Sequence, residues 1–206
     1  MRVRPCFAAA FAVAASCTLV VVPPPLPDDP VEVFLLGEAL HTGIVLPPDP
    51  TAAADVADAD QFVEFAFGEW GWYALGDDAW YHVFGAVLWP TRGGLGRRTF
   101  GARTVAELRQ RAPWLELAPI VVSAAKARAL RARLQRMFDE YAGDAVSPPG
   151  WGFRFVPIES CYWLGNTCAD AAADWLTELD CRVGWWFVRT GLCTVPGANN
   201  NLAARR

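Results

Sequence analysis

Val31-Glu32-Val33-Phe34-Leu35-Leu36 and, a few residues on, Gly43-Ile44-Val45-Leu46 make up the stretch from which the architecture is read. Both runs are rich in β-branched and aromatic residues, and Pro47-Pro48 stops the second, so they read as a strand and its hairpin partner. His41-Thr42 therefore falls at a turn or strand edge. Downstream, residues 49–60 are rich in Asp and Ala and read as a surface loop. A further strand follows at residues 61–67, in which a period of two puts Glu64 on the same face as Phe62 and Ala66. Gly68 and Gly71 then mark a turn among aromatics.

Beyond that turn the spacing changes. Trp80, Val83, Phe84, Val87 and Leu88 recur at helical intervals from Asp77 until Pro90 and predict a helix in spite of Gly85. Arg92-Gly93-Gly94-Leu95-Gly96-Arg97-Arg98 lacks the strand-to-helix context and GK[ST] ending of a phosphate loop, and reads as a flexible loop. Thr104 with Glu107 forms a capping-box pattern for a short helix ending near Pro113, and residues 117–122 read as a strand. Ser123 caps the longest predicted helix, with Leu130, Leu134, Met137, Phe138 and Tyr141 as one apolar stripe and Gly143 as its stop. The Pro- and Gly-rich residues 144–158 read as a loop with short extended pieces. Asn166 is placed to cap a last helix whose apolar positions include Ala171, Ala172, Trp175, Leu176 and Leu179, which puts Cys168 in its first turn. No internal repeat is present.

Upstream of the hairpin, Arg2 and Arg4 precede an uncharged apolar run from Cys6 to Val22, and prolines at 23, 24, 25 and 27 follow. Basic residues, an apolar run and a Pro-rich spacer in that order are the marks of an export or anchoring signal. Three fates fit: an uncleaved membrane anchor, cleavage after Ala12-Val13-Ala14, or a lipoprotein signal at Ala14-Ala15-Ser16-Cys17. Each places the domain outside the cytoplasm, either periplasmic or attached to a membrane through the N-terminus. The expected organisation is a leader with its spacer over residues 1–30, one domain over 31–195, and a small, polar tail over 196–206.

Composition narrows the function further. The 206 residues are 53% hydrophobic and 19% charged, which excludes global disorder. Net charge is −4, and the Lys and Arg residues form no basic stripe, so nucleic acid is not an expected partner. The densest basic stretch, 126–136, reads as the solvated face of a helix. Spacings of His, Cys and carboxylate match no standard zinc pattern, and neither a metal nor a cofactor is expected. In an oxidising compartment, Cys161, Cys168, Cys181 and Cys193 belong to the folded part, and Cys181 with Cys193 is the first pairing to expect if Cys168 is a free nucleophile.

A thiol attacks as thiolate, and a helix start together with a nearby imidazolium lowers its pKa from about 8.5 to roughly 3.5–7.5. Cys168 has the first by position. The chain holds two histidines, His41 and His82. His82 lies within the predicted helix, whereas His41 sits at a strand edge where a ring can face a cleft, so His41 is the candidate base.

The order His41-Thr42-Gly43, then Glu64-Phe65-Ala66-Phe67-Gly68-Glu69 with Gly71-Trp72-Tyr73, then Asn166-Thr167-Cys168 resembles a bacterial family of unknown function, the urease-region conserved hypothetical proteins, over roughly residues 31–190. That motif order in turn resembles the circularly permuted, NlpC-like branch of the papain superfamily. The resemblance implies an α+β fold, a papain-like antiparallel sheet packed with helices, and a site in which Cys168 attacks a carbonyl, His41 is its base and Glu64 orients the imidazole. Glu69 is the alternative orienter. Many family members carry Asn after the cysteine; here the residue is Ala169, though backbone N–H groups near Thr167 to Ala169 could hold an oxyanion. The activity implied is a cell-envelope cysteine hydrolase or acyltransferase acting on an amide or ester, with cell-wall peptide and lipid both open as substrate. The competing expectation is a non-catalytic envelope binding or scaffold protein on the same core, using the Trp-rich segments 70–80 and 185–187 as a contact surface.

Overall fold

Strands β2 (Pro30–Glu38) and β3 (His41–Leu46) pair antiparallel, with Phe34 opposite Val45 and Glu38 opposite His41. The structure is a computed structural model and describes residues 18–38, 41–52, 58–77, 89–150, 152–184 and 191–194. The hairpin belongs to a six-stranded antiparallel sheet. In it β4 (Val63–Glu69), β5 (Thr91–Thr99) and β7 (Arg154–Tyr162) continue outward from β3, and β6 (Leu117–Ser123) flanks β2 on the other side. Three helices are described: α1 (Val105–Arg111), α2 (Ala124–Glu140) and α3 (Cys168–Glu178). A small second sheet joins β1 (Thr18–Val22), β8 (Arg182–Gly184) and β9 (Gly191–Thr194), with β1 in the centre. The chain is α+β.

Alternation along the strands divides the interior in two. Ile44, Leu46, Val63, Phe65, Leu95 and Val156 face α2 and α3, where Leu130, Leu134, Phe138, Trp175 and Leu176 complete the larger core. Phe34, Leu36, Val45 and Phe62 point the other way and pack with Leu108 of α1, while Ala66 on that same face meets Tyr73, Phe153 and Phe155. The predicted stripe of the longest helix lies in the larger core, with Met137 and Tyr141 partly buried at its margin. Ser123 and Thr104 cap α2 and α1 as their sequences predict.

Three expectations are corrected. Arg92 to Arg98 is not a loop but the body of β5, paired on both sides. Its glycines make room for rings from neighbouring strands: a Cβ on Gly96 would lie 2.5 Å from the Phe155 ring, and one on Gly93 2.5 Å from that of Phe67. Residues 154–158 likewise lie in a strand, because β5 offers them a full ladder. Arg131, within the stretch read as solvated, is buried and donates to the carbonyl oxygens of Pro47, Asp58 and Gln61, which ties α2 to the segment before β4; burial pushes its pKa down to about 10.

Thr18–Val22, read as the end of the apolar leader, pairs with β8 and β9 and buries Val21 in the larger core. Both expected cleavage points precede this strand, at residues outside the described ones. Also outside them lie most of the helix expected after Asp77, with His82, the Trp-rich segment 185–187 and the tail from 195. No helix among the described residues is long and apolar enough to cross a membrane. Cys161, Cys168 and Cys181 are free thiols, so the expected pairing through Cys181 is not formed.

Candidate functional site

Glu64 is fully buried, and it is held from both sides. Its Oε1 lies 2.9 Å from Nε2 of His41 on the neighbouring strand β3. Its Oε2 accepts two hydrogen bonds from Arg98 on β5, from Nε at 2.9 Å and an Nη at 2.5 Å. Register explains the row: Glu64 sits directly opposite Arg98, and both point to the sheet face away from α2 and α3. The carboxylate must pass over Gly43 to reach the imidazole, and a Cβ there would stand 2.7 Å from Oε1. The glycine of the His-Thr-Gly motif is thus a close-approach residue.

In the neutral imidazole, a hydrogen bond to the carboxylate puts the His41 proton on Nε2 and leaves the lone pair on Nδ1. Nδ1 is buried and has no hydrogen-bond partner. A buried polar atom left in that state costs about 1–3 kcal/mol. Aromatic rings fix the imidazole: Phe153 at 5.6 Å, edge-on, and Tyr73 at 6.1 Å between centroids. Tyr73 belongs to a single π-helical turn (Trp70–Ala74) and lies over Gly68, where a Cβ would come within 2.5 Å of its ring. Glu69, the alternative orienter, is used elsewhere: it caps this turn by accepting the Trp72 N–H at 2.6 Å.

Cys168 is the first residue of α3. The cap is Thr167, not Asn166, since Thr167 and Asp170 exchange the paired side-chain-to-backbone bonds of a capping box. Asn166 instead donates to Ser160 Oγ at 2.9 Å and to the carbonyl oxygen of Cys161 at 2.6 Å, closing the tight turn that begins at Trp163. The sulfur faces the N–H and hydroxyl of Thr42, the N–H of Ala169 and the hydroxyl of Tyr162. Burial pushes the thiol above its ordinary range, and these donors pull it down without prevailing. The lowered pKa expected at a helix start is therefore overturned, because loss of hydration outweighs the helix end. Burial also pushes the Tyr73 and Tyr162 hydroxyls up, and proximity to Cys168 adds to it.

Thiol and imidazole belong to opposite faces of the sheet. Helix α3 packs on the face of Thr42, Ile44 and Leu46, whereas His41 shares its face with Gly43 and Val45. The ladder between β3 and β4 ends at Gly43 opposite Ala66, and Thr42, the residue after His41, lies near the thiol. No thiol–imidazole hydrogen bond is formed, since Nδ1 is unpartnered.

The structure thus joins His41 to Glu64 and brings Cys168 against the neighbour of His41. Sequence reasoning missed Arg98, whose only signal was its place in a run too rich in glycine to read as a strand, and the Thr42 and Tyr162 contacts to sulfur. Among the described residues no cluster of His, Cys, Asp or Glu is arranged to hold a metal ion. No family model matches this chain, and neither a curated protein nor a solved structure is found to match it.

Proposed function

We propose that this protein is a cysteine hydrolase or acyltransferase of the cell envelope, built on a circularly permuted papain-like core and acting on an amide or ester. The observation that carries the reading is the imidazole of His41, bonded through Nε2 to a buried carboxylate while Nδ1 is buried without a partner. Strands bearing base and orienter, followed by a helix bearing the thiol, also fit the order of the permuted branch. Because burial keeps the thiol protonated at neutral pH, activation is by general base at the moment of attack, not by a resting thiolate.

Substrate entry closes the gap between sulfur and imidazole, a tightening common when empty sites fill. The Cys168 proton passes to Nδ1 of His41 as sulfur attacks the carbonyl carbon. Oxygen charge in the tetrahedral intermediate is met by the N–H groups of Thr42 and Ala169. Collapse breaks the carbon–oxygen or carbon–nitrogen bond, and the leaving alcohol or amine takes the imidazolium proton. Water, or a second nucleophile in acyl transfer, then attacks the thioester with His41 again as base.

p-Nitrophenyl acetate tests this in a Cys161→Ser background, which removes the thiol that is exposed among the described residues. Peptide mass mapping should find the acetyl group on Cys168, and His41→Ala should slow its appearance about 100-fold or more. Equal rates in the two proteins would sink the proposal.

A second reading, a binding protein without catalysis, is favoured by exposed apolar side chains close to α3. Trp163 and Leu164, on the turn that leads into Cys168, are 45% and 44% exposed, and Trp89 is 72% exposed. Full rescue of a deletion strain by Cys168→Ser would favour it over catalysis.

A further inference from the structure

We infer that Arg98 is a positioning residue of this site, holding Glu64 so that one carboxylate oxygen is left for His41 and the imidazole stays in the tautomer that leaves Nδ1 free. The role in turnover rests on the reading above; the effect on the tautomer does not. Arg98 directs two N–H groups at Oε2 and none at Oε1 within the bonds described, so the two oxygens have separate duties. A carboxylate with no solvent exposure needs a counter-charge in place, and Arg98 is the cation bonded to it.

The guanidinium is itself immobilised. Its carbon lies 4.5 Å from the centroid of the Phe153 ring and 5.1 Å from that of Phe100. Phe153 is also the ring set edge-on against His41, so one aromatic side chain braces both ends of the row. Planar stacking and a forked pair of donors are properties that Lys lacks, which makes Arg98→Lys a non-conservative change at this position.

With two histidines in the chain, ¹⁵N-histidine labelling gives a spectrum simple enough to assign through His82→Gln. At a pH where imidazole is neutral, the unmodified chain should show His41 with a protonated Nε2 and an unprotonated Nδ1. Arg98→Met should move a substantial fraction, about half, to the Nδ1–H form; an unchanged His41 spectrum in the folded variant would overturn the inference. Should Arg98→Met fail to fold, Arg98→Lys supplies the same measurement, with a detectable Nδ1–H population expected and an unchanged spectrum decisive against it. Acetylation of Cys168 is measured in parallel, where Arg98→Met should lower kcat and leave KM. A tautomer shift in a protein that never acylates Cys168 would support the role of Arg98 and reject catalysis; acylation with an unmoved tautomer would do the reverse.

Discussion

The two faces of the central sheet are built on different principles. Against α2 and α3 the strands present Ile44, Leu46, Val63, Phe65, Leu95 and Val156, an apolar core with polar bonds such as Arg97 to Gln135 at its margin. Across the same strands, the other face holds part-buried His41 and Arg98 and buried Glu64 in one hydrogen-bonded row among Tyr73, Phe153 and Phe155. Oily packing tolerates small adjustments, whereas a buried charge tolerates loss of its partner poorly. A fold that needed only stability would be served by apolar residues on both faces.

The sharpest way to break this contrast is to remove one member from each side. Glu64→Ala leaves the part-buried Arg98 guanidinium without its carboxylate and should destabilise the protein by about 3 kcal/mol or more, read from the urea midpoint. Leu176→Ala, on the opposite face, should cost about 2–5 kcal/mol by cavity formation while leaving the His41 resonances in place. Comparable disturbance of His41 by both would show that the faces are not independent.

A smaller effect is expected at Gly43. Its Cβ in Gly43→Ala would lie 2.7 Å from the Glu64 carboxylate, so the variant should lose about 1–3 kcal/mol and weaken the bond to His41. A wild-type spectrum in that variant would show that the carboxylate has another route to the ring.

The mildest effect concerns pH. The folded pKa of Cys168 is raised, and that of Cys181 is pushed up to about 12, both by burial. The unfolded chain therefore releases these protons first, binding fewer than the folded chain at alkaline pH, and stability falls as pH rises. Their contribution is whole below about pH 9 and declines from there toward about 12. Thermal midpoints taken across that range should fall, and Cys181→Ala should reduce the slope; a flat profile would remove burial as the governing influence on these thiols.

Much of the site is legible in the sequence. His41 and Glu64 sit in motifs whose strand periodicity is plain, and their contact spans 23 residues that a hairpin and one loop bring back together. Arg98 is not legible there, because its strand is built from glycines whose value lies in rings contributed by other strands. The cap of α3 falls one residue from its expected place for a similar reason. Asn and Thr both suit a helix start, and only the hydrogen bonds of Asn166 to Ser160 and Cys161 show that it is occupied elsewhere.

By itself the sequence determined the local elements: the β2–β3 hairpin, the stripe of α2, and a thiol at the head of the last helix, all of which follow from periodicity and capping between near neighbours. Only the tertiary structure decided that β5 is a strand, that Arg98 completes the row through Glu64 to His41, and that Cys168 is pushed toward the neutral thiol. Those outcomes depend on register and burial, which are set by residues far apart in the chain.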